Sequence, residues 1–199
     1  MTRLTIDETV AALARGAVVA LPTDTVYGLG ASIAFPDALE ALFSLKRRPD
    51  RVALPVVAAR ASDLDELVDG WPEGAARLIA AYWPGPLTLV VEAREPLAAR
   101  VHSATTRVGF RVPDDPVLGA VLAASGPLAL TSANGHGEPP CVTADGVLAA
   151  FVGRAQLAGV LDGGRRDAPV SSVVEFAGDG WRVVRVGAIT LEQLAATLA

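Results

Sequence analysis

Short, wholly apolar runs alternate with segments whose apolar residues recur at helical spacing, from one end of the chain to the other. Ala17 to Leu21 is such a run, rich in valine and stopped by Pro22. A strand with no polar residue on either side must be covered on both faces, which a layered α/β architecture provides. The spacing predicts helices from Ile6 (with Val10, Leu13 and Ala14 inward), from Pro36, over Gly74–Trp83, after Asp115-Pro116, from Thr143 to about Phe151 and over Thr190–Leu198. Strands are expected at Val52–Ala59, Leu87–Glu92, Val108–Val112, Leu128–Leu130, Val160-Leu161, Ser172–Phe176 and Trp181–Val186. The last two are joined by Ala177-Gly178-Asp179-Gly180 and read as a hairpin, so the sheet is expected to be mixed.

Composition narrows the function. The 199 residues fit one domain spanning 1–199. Cys141 is the only cysteine, so no internal disulfide forms, and two histidines with one cysteine cannot supply a structural zinc site. No apolar run approaches a membrane span, and the start MTRLTIDETV has no signal pattern, so the expected location is the cytoplasm. A net charge of −5 disfavours wholesale nucleic-acid binding and leaves room for one basic patch. Lys46 is the only lysine among 17 basic residues. Where arginine is otherwise preferred, one retained lysine suggests a need for a compact ammonium. It extends the Leu39, Leu42, Phe43 stripe, which aims it toward the core side rather than bulk water.

The phosphate loop, the dinucleotide fingerprint and the nucleophile elbow are all missing from the sequence. His102, His136 and Cys141 have no motif around them. Polar residues instead gather where strands end, the usual ligand position in open α/β sheets. Pro22-Thr23-Asp24-Thr25-Val26-Tyr27-Gly28-Leu29-Gly30 follows the first buried strand, and its glycines would let backbone approach a ligand. Lys46-Arg47-Arg48-Pro49-Asp50-Arg51 suits a polyphosphate, or equally a solvated helix end whose cations favour the dipole. Trp83-Pro84-Gly85-Pro86 reads foremost as a rigid corner. Arg107, Gly109 and Arg111 share one strand face, either gripping an anion or simply exposed. Thr131-Ser132-Ala133-Asn134, Ser171-Ser172 and Arg185-Val186-Gly187-Ala188-Ile189 complete the set.

Together these segments resemble the YrdC-like family of threonylcarbamoyl-adenylate synthases, from Ala17 to Ile189. The resemblance rests on P-T-D-T-V-Y-G-L, on Lys46-Arg47-Arg48, on W-P-G-P-L-T and on the distant Ser132-Ala133-Asn134. It implies a twisted mixed parallel/antiparallel open sheet with flanking helices and a central concave cavity. It implies that L-threonine, bicarbonate and ATP, with Mg2+ on the nucleotide, give threonylcarbamoyl-AMP and pyrophosphate for the tRNA-modification machinery. Carried over, Thr25, Arg111, Ser132 and Ser171 would bind threonine. Lys46 and Arg48 would hold the phosphates as catalytic cations, and Asn134, Thr143 and Arg185 would complete the nucleotide site.

Val52, Val57, Arg107, Ser172 and Val186 depart from the residues usual in that family, which leaves room for a paralogue with altered activity. The end at Ala199 is read as lacking the extra domain of longer members. Two rivals stand beside the synthase: a double-stranded RNA or ribosome-associated binding protein using the Lys46–Arg51 patch, and carbamoyl transfer to another acceptor.

Overall fold

The computed structural model of the chain describes residues 2–46, 53–101, 105–135, 137–178 and 180–199. Arg48 and Val52, with the rest of 47–52, and both His102 and His136 lie outside the described residues. Strands are β1 (Thr2–Leu4), β2 (Val18–Leu21), β3 (Gly28–Ser32), β4 (Val56–Val57), β5 (Leu87–Glu92), β6 (Arg107–Arg111), β7 (Leu128–Ser132), β8 (Leu157–Leu161), β9 (Ser172–Ala177) and β10 (Gly180–Arg185). Helices are α1 (Ile6–Leu13), α2 (Pro36–Lys46), α3 (Glu73–Tyr82), α4 (Leu97–Arg100), α5 (Pro116–Ser125), α6 (Ala144–Ala150) and α7 (Leu191–Leu198), with a 3-10 turn at Ala61–Leu64.

The strands form one sheet in the order β1-β8-β2-β3-β7-β4-β6-β5-β9-β10. Four parallel pairs (β1 with β8, β8 with β2, β4 with β6, β5 with β9) stand beside five antiparallel ones, so the sheet is mixed and open, as expected. The β9–β10 hairpin forms as expected.

Register sorts side chains between two faces. Val18, Ala20, Val56, Leu89, Phe110, Ala129 and Val174 enter a large core with the inward residues of α2 and α3. Val19, Leu21, Val57, Leu128 and Leu130 point the other way, where Leu13 of α1 and Leu118, Val121 and Leu122 of α5 form a second core. The uninterrupted apolar run of β2 follows from this: all four residues are buried, alternately in the two cores. Each fully buried leucine contributes roughly 1.5–3 kcal/mol.

Helix starts follow the sequence cues. Thr5/Glu8 and Thr190/Gln193 make reciprocal capping boxes. The Asp115 carboxylate accepts from the backbone N–H of Val117 and Leu118, with Pro116 in the first turn.

Some expectations are corrected. Ile6 and Ala14 are exposed; Thr9, Ala12 and Leu13 form the buried stripe of α1, because the helix packs through the edge nearest α5. The expected strand at Val52–Ala59 is ordered in the sheet only as β4. Gly28 to Gly30 are not loop but part of β3, hydrogen-bonded between β2 and β7. A β-carbon on Gly30 would sit 2.9 Å from Leu21 Cδ1, and one on Gly28 3.0 Å from Leu130 Cγ. The missing side chains make room for neighbouring leucines, and Gly28 is also on the lining of the hollow described below. No helix among the described residues is long and apolar enough to cross a membrane.

Candidate functional site

The face that carries Leu21 and Leu128 under helices continues uncovered toward β9, enclosing a hollow of about 480 Å³. Register explains what lines it. Gly28 lies opposite Ser132, Val57 opposite Arg111, Gly109 opposite Val90, and Thr88 opposite Val173. Arg107, Gly109 and Arg111 therefore face the hollow together, while Val108 and Phe110 enter the core. The loop between β2 and β3 adds Thr23, Thr25 and Val26; Ser171 and Arg185 close the far side. Among the described residues, the ionisable groups on the lining are Arg107, Arg111, Arg185 and the phenol-bearing Tyr27; Arg107 is paired with Glu92 and Glu175 and Arg111 with Asp24, and none of these three carboxylates is on the lining. A concave, partly desolvated wall of one sign concentrates anions.

Arg111 is buried, and its guanidinium is held at two points. Its Nε–H donates to the Gly85 carbonyl at 3.0 Å and its Nη2 donates to Asp24 Oδ1 at 2.6 Å. Burial is the largest influence on its pKa and lowers it; Asp24 opposes this, and Arg185 lowers it further. Burial also lowers the pKa of Arg185. Both stay cationic at neutral pH, since guanidinium does not lose its proton in proteins.

The Trp83–Pro86 corner has a use. Its Gly85 carbonyl is the one that meets Arg111, and Gly85 N–H donates to Val112 O at 2.8 Å. A β-carbon at Gly85 would fall 2.6 Å from Tyr82 O, so only glycine permits the corner.

Thr23 orders the first loop. Its Oγ donates to Val26 O at 2.7 Å and accepts from the N–H of Thr25 and Val26. Thr23 Oγ and Thr25 Oγ lie 3.0 Å apart. The Thr25 hydroxyl, beside this contact, lines the hollow.

On the other side Ser171 accepts three hydrogen bonds from Arg185: Nε and Nη2 meet its carbonyl at 3.0 and 2.8 Å, and Nη2 meets its Oγ at 2.9 Å. Ser171 Oγ also contacts Thr88 Oγ at 3.1 Å. The β9–β10 hairpin brings these two residues together across 14 positions. The adjacent Ser172 points away from solvent and is fully buried. It donates to Ile189 O at 2.7 Å and accepts from Gly187 and Ile189 N–H, which binds the segment after β10 back to the sheet.

Lys46 sits at the end of α2 with only 2% exposure, on the inward stripe as expected. Its Nζ donates to Ser132 O at 2.7 Å, to Ser132 Oγ at 3.2 Å and to Asn134 Oδ1. Ser132 Oγ donates to the same Asn134 oxygen at 2.7 Å. Asn134 Nδ2 donates to Glu138 O at 2.5 Å. The lone ammonium and the asparagine amide, 88 residues apart, thus meet at Ser132, which lines the hollow.

Not every expected residue gathers there. Thr25, Arg111, Ser132, Ser171 and Arg185 line the hollow; Lys46 and Asn134 adjoin it through Ser132; Arg48 lies outside the described residues. Thr143 is not on the lining, and its hydroxyl accepts from Gly146 N–H as the N-cap of α6. Of the departures from the family pattern, Val57 and Arg107 line the hollow. Asp24 and Gly85, which no single stretch of sequence marks as partners of Arg111, were not among the expected site residues. The signal for them is long-range strand register, which a local pattern does not carry.

A family model described as telomere recombination, covering the Sua5, YciO and YrdC proteins, matches residues 11–187. The threonylcarbamoyl-AMP synthase of Bacillus subtilis is 38% identical over 97% of this chain, which spans only 56% of that protein. A candidate threonylcarbamoyl-AMP synthase of Mycobacterium tuberculosis is 37% identical over 95% of this chain and 87% of its own length. The crystal structure of Pyrococcus abyssi Sua5 complexed with L-threonine superimposes with a TM-score of 0.90 at 30% identity, over 98% of this chain and 59% of that one. With a family model matched over residues 11–187 and relatives 37–38% identical over at least 95% of it, this chain belongs to the Sua5/YciO/YrdC family.

Proposed function

We propose that the chain is a threonylcarbamoyl-AMP synthase, a nucleotidyl-transferring enzyme that acts on L-threonine, bicarbonate and ATP and supplies tRNA modification. The observation that carries this reading is the hollow itself: three arginines, the hydroxyls of Thr23, Thr25, Thr88, Thr131, Ser132 and Ser171 and, among the described residues, no lining carboxylate, with an ammonium adjoining through Ser132. That set suits two anionic ligands, an amino-acid carboxylate and a polyphosphate. The threonine-bound relative supports the first of them.

In this reading Arg111 takes the threonine carboxylate, with Thr25, Ser132 and Ser171 as hydrogen-bond partners. The threonine nitrogen forms a bond to the bicarbonate carbon, and water leaves. A carbamate oxygen then attacks the α-phosphorus of ATP; the bond to the bridging oxygen breaks and pyrophosphate departs. No enzyme covalent intermediate is needed. Catalysis is placement of three substrates, with cationic stabilisation of the phosphate oxygens by Lys46 and Arg48. Asn134 and Arg185 serve the nucleotide, while the Thr143 hydroxyl, off the lining, caps α6. Among the described residues no group of three His, Cys, Asp or Glu could hold a metal ion. Mg2+ would arrive with the phosphates, which is its habit in such sites.

The test is pyrophosphate release from ATP, Mg2+ and bicarbonate with each amino acid in turn. Release that requires threonine is expected. Silence with every amino acid, alongside RNA affinity that falls steeply with salt, overturns the reading.

A further inference from the structure

The P-T-D-T segment contains one charged residue, Asp24, to which the proposed reaction gives no task. Its carboxylate is 12% exposed and lies 2.6 Å from Arg111 Nη2, itself 10% exposed at the side chain. The other contact on that guanidinium is the Gly85 carbonyl, from a corner that tolerates only glycine. Asp24 is carried by the loop after β2, and Gly85 by the turn before β5.

We infer that Asp24 and the Gly85 carbonyl form a two-point bracket that sets the roll of the Arg111 guanidinium, making Asp24 a positioning residue for a ligand carboxylate. The argument is one of donor geometry. Arginine offers five N–H donors in a fixed plane, and a carboxylate can take two of them either along the Nε/Nη2 side or across the Nη1/Nη2 end. Gly85 occupies the Nε–H. The Nη1 hydrogens and the second hydrogen of Nη2 remain for a ligand carboxylate. The bracket thus fixes both the plane of the guanidinium and the edge it presents.

Asp24 acts through Arg111 and is not on the lining of the hollow.

This inference rests on the proposed threonine site, and the experiment separates the two. Arginine Nε–H signals are followed by NMR in the wild type, Asp24→Asn and Asp24→Ala, and L-threonine and ATP binding are measured by calorimetry on the same samples. The Asn variant keeps an oxygen that can accept from Nη2; the Ala variant does not.

The expected result is a slowly exchanging Arg111 Nε–H in wild type and in Asp24→Asn, lost in Asp24→Ala. Threonine binding should weaken by about tenfold or more in Asp24→Ala and largely recover in Asp24→Asn, with ATP affinity unchanged. Equal threonine affinity in all three, equal loss in both variants, or parallel loss of ATP binding would overturn the bracket. Failure of the wild type to bind threonine would instead overturn the proposed function, while the Nε–H comparison would still decide the bracket. Arg111 is assigned by its loss in an Arg111→Lys sample.

Discussion

Under α1 and α5 the sheet presents Val19, Leu21 and Leu128 to leucines and valines of those helices; a few residues further along, Ser132 and Arg111 of the same face look into open space. One surface, built by one register, is thus a dry core at one end and a wet, cationic hollow at the other. β7 crosses the border within five residues, from Leu128 through Leu130 to Ser132. The difference teaches that the site is the part of the sheet the helices do not cover. Its polar side chains sit at positions that would otherwise have to be apolar, and the polar contacts they make with one another stand in for missing packing. Substitutions should therefore separate cleanly: changes under the helices act on stability, and changes in the hollow act on ligands.

The largest effect is expected under the helices. Leu122→Ala leaves a cavity against Val121 and Leu128 and should cost about 2–5 kcal/mol in denaturant unfolding, with threonine and ATP affinity retained in the folded fraction. Lys46→Ala should lower pyrophosphate release by about 10²–10³-fold, corresponding to roughly 2.7–4 kcal/mol of barrier, with the circular dichroism spectrum preserved. A wild-type rate would remove Lys46 from the phosphate role. Arg111→Lys keeps the charge and loses the planar fork, so threonine KM should rise by an amount worth about 1.5–3 kcal/mol while ATP KM holds.

Gly109→Ala tests the border most finely. Its β-carbon would lie 3.1 Å from Thr88 Cγ2 and 3.4 Å from Pro55 Cβ, inside the hollow. Unfolding should shift by less than about 1 kcal/mol, since alanine is the stiffer residue in a strand, while threonine KM rises a few-fold. A large loss of stability with unaltered KM would show that this part of the face is core.

Legibility in the sequence followed the same border. The covered half could be read directly: β2 is apolar throughout because both of its faces are buried, and the caps at Thr5, Asp115 and Thr190 mark helix starts by local chemistry. Lys46 was placed on the inward stripe by periodicity alone. β3 was hidden, because Gly28-Leu29-Gly30 carries no strand signature; its glycines answer to Leu21 and Leu130 on neighbouring strands. β1, three residues long, and α4, four residues long, are too short for periodicity to register. In the hollow, Arg107 and Arg111 could be assigned to one face by the two-residue period. Whether that face was exposed or concave depended on which helices cover it. The pairing of Arg111 with Asp24 spans 87 positions and is set by tertiary register. Thr143 shows the reverse: its local cap signature was legible, and the cap is where the structure uses its hydroxyl.

The most direct test of the two-halves account is a titration of the methyl-labelled protein with L-threonine, read by NMR. Val90 and Val173 line the hollow, while Val19 of β2 and Val121 of α5 lie in the core between sheet and helices. The account predicts saturable shifts of the Val90 and Val173 methyl signals with those of Val19 and Val121 unmoved. Shifts confined to Val19 and Val121, or no shift at any of the four at saturating threonine, would contradict it.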